Sequence, residues 1–273
     1  MEDSYFNLSE WLNIAARWVH VFAGIMWVGA TYFFTWLDGR FVEMDSARGA
    51  SETAEKHVWM VHSGGFYLVD KQKKPKLIPA KLHWFKWEAM ITWASGIMLL
   101  VLVYYMGGLM VDENMEETTP MIAGIGTLLL SWPVYDALWK SKLGSHQTSA
   151  VVVSYLLLVC IIFGLTHLMD GRAAYMHVGA MMGTLMMLNV WMRILPAQRK
   201  MVAALNEGKE PDLALGERAK MRSKHNTFMA VPVVFIMISN HYPVTSYGDS
   251  WNWVILSALV LVGWGAAKII RGA

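Results

Sequence analysis

Cysteine is almost absent: the 273 residues contain one, Cys160, and it lies inside an apolar run. A single thiol excludes an internal disulfide, a four-cysteine metal site and covalent attachment of c-type haem, whose C-x-x-C-H motif is missing. A basic leader is lacking as well. The first ten residues, MEDSYFNLSE, carry no positively charged n-region, so no cleavable signal peptide is expected and the first apolar segment is expected to act as the membrane address. There is no internal repeat and no low-complexity segment. The apolar blocks also lack the centrally placed acidic residues and interrupted helix pairs of many ion-coupled carriers, which argues against a transporter or channel. Net charge is only +2, and no nucleic-acid partner is expected.

What is abundant is apolar surface. The chain is 55% hydrophobic with 14 Trp and 21 Met, and its mean hydropathy is +0.35. These residues come in blocks that predict an all-α, polytopic membrane bundle of about seven transmembrane helices, at residues 11–37, 83–107, 120–140, 147–169, 173–195, 225–242 and 251–270. A single integral membrane domain over 1–273 is expected, with inner connections 38–82 and 196–224. Lys and Arg crowd these two connections, the turn at Lys140 and Lys142, and the C-terminus. The N-terminus before Arg17, the DENMEETTP stretch and the NHYPVTSYGDS turn carry none. The positive-inside rule then puts the N-terminus outside and the C-terminus inside. Within the first connection, residues 43–58 read as a polar helix, and GGFYLVDKQKKPKLIP as a surface hairpin around a Lys-rich turn. AQRKMVAALNEGKEPDLALGERA reads as short amphipathic helices broken by Gly208 and Pro211.

The segment from Lys224 to Pro243 has a histidine near each end and Pro232 in its middle. As one helix it is long enough to cross a bilayer, with His225 inside and His241 outside. Ionisable groups at such positions are candidate site residues by default. His20, His167, His177 and His241 all fall in the outer half, on four different spans. Neutral imidazole ligates haem iron, and facing helices commonly hold haem b without covalent attachment. One haem b, or two, is therefore expected on His20, His177 and His241, with His167 next. Packing is the simpler role for any one of them. Arg17, one turn from His20, would meet a haem propionate or snorkel to the headgroups. His20, Gly24 and Trp27 share a helix face; this leaves room for a macrocycle, although packing alone also selects glycine there. The pattern resembles first-helix patterns of the membrane protoporphyrinogen oxidase and copper-resistance D-type families.

His62, His83, His225 and Asn226, with Glu88 nearby, collect on the inner side, where they offer acid/base and hydrogen-bonding groups. Glu88 and Asp136 either orient a substrate or pair with Lys86 and other inner cations, and pairing is the simpler reading.

Four stretches taken together, HSGGFYLVDK at 62–71, LHWFKWEAMITWASG at 82–96, SWPVYDALWKS at 131–141 and SKHNTFMAVPVVFIMISNHYP at 223–243, resemble the N-terminal membrane domain of the bacterial membrane-bound, cytochrome-c-linked urate oxidases, or urate hydroxylases. The resemblance covers nearly the whole chain, in the same order. It implies a multi-pass protein of the bacterial inner membrane that oxidises urate from the cytoplasm and passes electrons through haem b to an external c-type cytochrome. That family continues into a cytochrome c domain, so a separate c-type cytochrome or another respiratory subunit is expected to accept the electrons. The alternative is a non-enzymatic haem b subunit relaying electrons within a respiratory complex.

Overall fold

A computed structural model describes residues 7–47, 57–72, 75, 79, 81–111, 116–248 and 250–272. The first helix, α1 (Leu8–Ala47), is followed by a hairpin of β1 (His57–His62) and β2 (Gly65–Asp70). Helix α2 (Trp87–Leu100) ends in a π turn, Val101–Tyr105, and is followed by α3 (Thr118–Lys140) and α4 (Gln147–Leu168). Then α5 (Gly171–Asn189) runs through a second π turn, Val190–Ile194, into α6 (Leu195–Asn206), and α7 (Leu213–Ser239), the short α8 (Pro243–Tyr247) and α9 (Asn252–Gly272) complete the order.

Among the described residues, six helices are long and apolar enough to cross a membrane: α1, α2 with its π turn, α3, α4, the continuous α5–α6 rod, and α9. The expected sixth span, 225–242, corresponds to the C-terminal part of α7. That helix is not among the six, because its first half carries Glu217, Arg218, Lys220, Arg222 and Lys224 ahead of His225 and Asn226. Asn226 and Thr227 of this helix find partners inside the bundle instead. It packs between α5 and α9, and Asn226, Thr227 and Ser239 are all buried.

At the centre stands α5, 14 of whose 19 residues are buried. Its composition explains that position: Ala, Gly and flexible Met allow neighbouring backbones to approach closely. A Cβ on Gly179 would lie 2.8 Å from Ile236 of α7. On the far side of α7, Gly263 of α9 makes room for the Pro232 ring, where a Cβ would lie 2.9 Å from Cγ and Cδ. The expected proline is thus accommodated inside a continuous helix by a glycine on its neighbour.

Three local expectations change. The chain is not wholly helical: His57–His62 and Gly65–Asp70 pair antiparallel, with His62 opposite Gly65. The hairpin turns at Ser63 and Gly64, both at positive φ (50° and 76°), as a two-residue turn matching the strand twist requires. The Lys-rich segment therefore follows the hairpin rather than forming its turn. Of the helix expected at 43–58, residues 43–47 prolong α1 and 57–58 start β1, while 48–56 lie outside the described residues. The 196–224 connection does divide where expected: Gly208 takes a positive φ of 70°, and Asp212 caps α7 by accepting from the Ala214 amide at 2.9 Å.

Candidate functional site

The sequence SWPVYDALWK near the end of α3 sets Tyr135 and Trp139 one turn apart, and Asp136 and Lys140 likewise. Asp136 is buried. A buried carboxylate persists only with partners, and this one has three cations: Lys140 at 2.9 Å, Arg222 of α7 at 2.9 Å, and Arg193 as a two-pronged guanidinium pair whose Nε lies 2.7 Å away. The π turn Val190–Ile194 brings Arg193 to this point. Three cations against one carboxylate leave the cluster with two excess positive charges. Arg222 is itself buried, lies over the Tyr135 ring at 4.8 Å, and keeps its Nη1 without a partner.

Beside this cluster, Tyr135 meets His225. Asn189 donates to the Tyr135 oxygen at 3.0 Å and to Asn226 Oδ1 at 3.0 Å, and Asn226 donates to the Met186 carbonyl at 2.9 Å. The Tyr135 hydroxyl lies 2.6 Å from His225 Nδ1. With its oxygen already accepting, its proton goes to Nδ1, which assigns the remaining imidazole proton of neutral His225 to Nε2. That Nε2 is buried with no partner. The ring is held against Trp139, centroids 4.1 Å apart.

His225 is one of the residues lining a cavity of about 240 Å³ among α3, α4, α5, α7 and α9. Tyr135, Trp139, Lys224, His225, Phe228 and Trp264 contribute its aromatic and cationic lining, and Trp264 Nε1 is a second buried donor without a partner. At roughly 30 Å³ of liquid per water, the space takes several waters or one small planar ring system. Unsatisfied donors, flat rings and excess positive charge suit an aromatic or amide-bearing anion. A second cavity, about 290 Å³ and walled by Phe235, Ile238, Ser239, Tyr242 and Ser246, lies toward the other end of α7. Its serine hydroxyls are already bonded, Ser239 to the Ile236 carbonyl and Ser246 to that of Ser239.

Only part of the predicted inner set converges. His225 and Asn226 are adjacent but face different ways, His225 to the cavity and Asn226 to α5. His62 is exposed at the end of β1, bonded to Ser63 at 2.9 Å. His83 is exposed and sits edge-on to Phe85 at 4.5 Å. Neither lines the cavity, nor does Glu88. The expected pairing of Glu88 with Lys86 is replaced: Lys86 lies over the Trp87 and Trp191 rings at 5.2 and 5.7 Å, and Glu88 Oε2 is buried without a partner. Sequence reasoning passed over Tyr135, Asn189, Lys224 and Trp264. The one readable signal was the Tyr135/Trp139 spacing beside Asp136/Lys140.

The outer histidines do not meet. His20 donates from Nδ1 to the Thr92 carbonyl at 2.8 Å and lies 3.3 Å from the Ser95 hydroxyl. Gly24 sits in van der Waals range of Thr92, and Gly96 lies directly against the His20 ring. The His20, Gly24 and Trp27 face is thus taken up by packing between α1 and α2, and Arg17 pairs with Asn13 at 2.5 Å. His177 is fully buried; its Nδ1 donates to the Ala173 carbonyl at 2.8 Å and its Nε2 accepts from Tyr105 at 3.0 Å. Along α2 the partners of His20 and His177 are residues 92–95 and 105, so the two rings stand roughly 15 Å apart in height at 1.5 Å per residue. His167 is exposed on Phe163, bonded to its carbonyl at 2.7 Å, and His241 is exposed in the turn after α7. Among the described residues no three His, Cys, Asp or Glu gather as a metal site. With both ring nitrogens of His177 hydrogen-bonded and His20 at another height, these two do not together frame a two-imidazole haem site. Tyr247 closes the α8 end of the bundle by donating to the Ser239 carbonyl at 3.2 Å, and burial raises its hydroxyl pKa against the opposing pull of Arg172.

A family profile described as urate oxidase N-terminal matches residues 6–270. No curated protein and no solved structure matches the chain.

Proposed function

Because this chain belongs to the urate oxidase N-terminal family, we propose that it is a membrane-embedded urate oxidoreductase, with the urate site in the cavity beside His225. Its setting would be the bacterial inner membrane, with the N-terminus outside, the C-terminus inside and α7 as a seventh crossing. The cavity then opens toward the side on which Lys and Arg are concentrated, where purine breakdown supplies urate. Urate is a planar monoanion with carbonyl acceptors. His225 Nε2–H and the Trp264 N–H would donate to it, Trp139 and Phe228 would flank its plane, and the excess positive charge around Asp136 would favour its anionic form. The single observation that carries this placement is the cavity lined by His225, whose Nε2 is buried without a partner.

Hydroxylation of urate by water would release two electrons and two protons; the protons would pass to solvent, and a one-electron c-type cytochrome, reduced twice per urate, is the acceptor class proposed. The test is protein reconstituted in nanodiscs with oxidised c-type cytochrome. Urate consumption with two cytochromes reduced per urate is expected; unchanged urate, together with no urate-dependent thermal shift, overturns the reading. An optical spectrum of the same sample separates the runner-up. A haem b that urate does not reduce, without urate loss, marks an electron-relay subunit.

A further inference from the structure

The hairpin after α1 plays no part in the cavity. One of its faces, Val58, Met60 and Val69, packs on Leu37, Phe41 and Met44 of α1. Alternation turns the next residues away: Trp59 lies opposite Leu68, and Val61 opposite Phe66. These four are 68%, 49%, 70% and 79% exposed. A ribbon with one covered face ordinarily turns polar side chains to water on the other. Two adjoining cross-strand pairs of large apolar residues make a patch that calls for a cover.

Its position indicates what that cover is. Phe33, Phe34 and Trp36 on α1 and Phe85 and Trp87 near the start of α2 are all exposed, with Phe34 and Phe85 edge to face at 5.0 Å. Exposed aromatics collected at one end of a membrane bundle mark the headgroup level. The α1 residues that hold the hairpin begin at Leu37, directly after Trp36, and end at Met44, about 10 Å farther along the helix. The hairpin is therefore held in the layer adjoining that belt. The segment 57–82 carries Lys71, Lys73, Lys74, Lys76 and Lys81 against one acid, Asp70. Lys71 is fixed at the end of β2 by its ion pair with Asp38. A second copy would bring the same lysines against these, whereas anionic headgroups complement them.

We propose that the Trp59, Val61, Phe66 and Leu68 face lies in the anionic headgroup layer of the leaflet at the end of α1, and sets the depth of that helix. The inference rests on the membrane reading and is independent of urate. The full chain, with Cys160→Ser and a fluorescent label on Val61→Cys, is placed in nanodiscs of phosphatidylcholine with or without phosphatidylglycerol. Headgroup-proximal spin-labelled lipid is expected to quench the label about threefold more than aqueous iodide, with the ratio rising when phosphatidylglycerol is present. Leu68→Cys, on the same face, gives a second reading where the first variant fails to fold. Full quenching by iodide overturns the proposal. Protection that is equal in phosphatidylcholine alone, or that appears only with two copies per disc, overturns it as well.

Discussion

Each end of the bundle holds a hydrogen-bonded tyrosine and histidine, Tyr105 with His177 and Tyr135 with His225, yet only one pair faces open space. At the Tyr105 end, α3 approaches so closely that a Cβ on Gly124 would lie 2.6 Å from the Tyr105 oxygen and 2.8 Å from His177 Nε2. Both imidazole nitrogens of His177 are used. At the Tyr135 end, the hydroxyl engages Nδ1, Nε2 is left unsatisfied, and both residues line a cavity. Each pair adjoins a π turn, a device that shifts helix register locally and is frequent at functional sites. The same two side chains therefore seal one end and prepare the other, and the difference lies in which nitrogen the tyrosine takes and how near the next helix comes.

The comparison breaks first at Asp136. Asp136→Asn leaves Lys140, Arg193 and Arg222 around a neutral amide, two of them largely buried, and a loss of about 3–5 kcal/mol is expected. Denaturant unfolding in detergent measures it, and unaltered stability would show that the cluster does not hold this end together. His225→Ala leaves the Tyr135 hydroxyl without its acceptor and should cost about 1–3 kcal/mol, while lowering urate kcat/KM about a hundredfold or more; turnover at the parent rate would remove His225 from the site. The sealed end responds the other way. Gly124→Ala forces Tyr105 and His177 apart and should destabilise by about 1–3 kcal/mol, with urate affinity unchanged in a titration followed by Trp fluorescence. The smallest effect belongs to His167→Ala: the exposed ring bonds to and packs on Phe163 in its own helix, so a change within about 0.5 kcal/mol is expected, and a large loss would reveal a contact beyond this chain.

Apolar periodicity made most of the fold legible. Six of the seven expected spans, those beginning at 11, 83, 120, 147, 173 and 251, have counterparts starting within a few residues of them, because about twenty contiguous apolar residues have few other stable conformations. The hairpin was displaced because its turn rests on a positive φ at Ser63 and Gly64, which the Lys-rich stretch nearby obscured. For the site, the sequence picked out His225 and Asn226 but grouped them with His62, His83 and Glu88 because all lie toward one end of the bundle. Depth is a one-dimensional coordinate; it cannot say that His62 is on a hairpin beside α1 while His225 faces α3, α4 and α9.

By itself, the sequence determined where most of the apolar helices begin, the partition of Lys and Arg between connections, and the presence of imidazole at both ends of the 224–243 stretch. Those are local properties, set by hydrophobic transfer and by one turn per 3.6 residues. Only the tertiary structure decided which histidine is spent on packing and which keeps a free nitrogen. That choice depends on residues far apart in the chain: Gly124 closing on His177, Gly96 on His20, and Tyr135 with Asn189 turning His225 toward the cavity. A hydrogen bond needs its partner within about 3 Å, and no spacing along the chain specifies which helix brings one there.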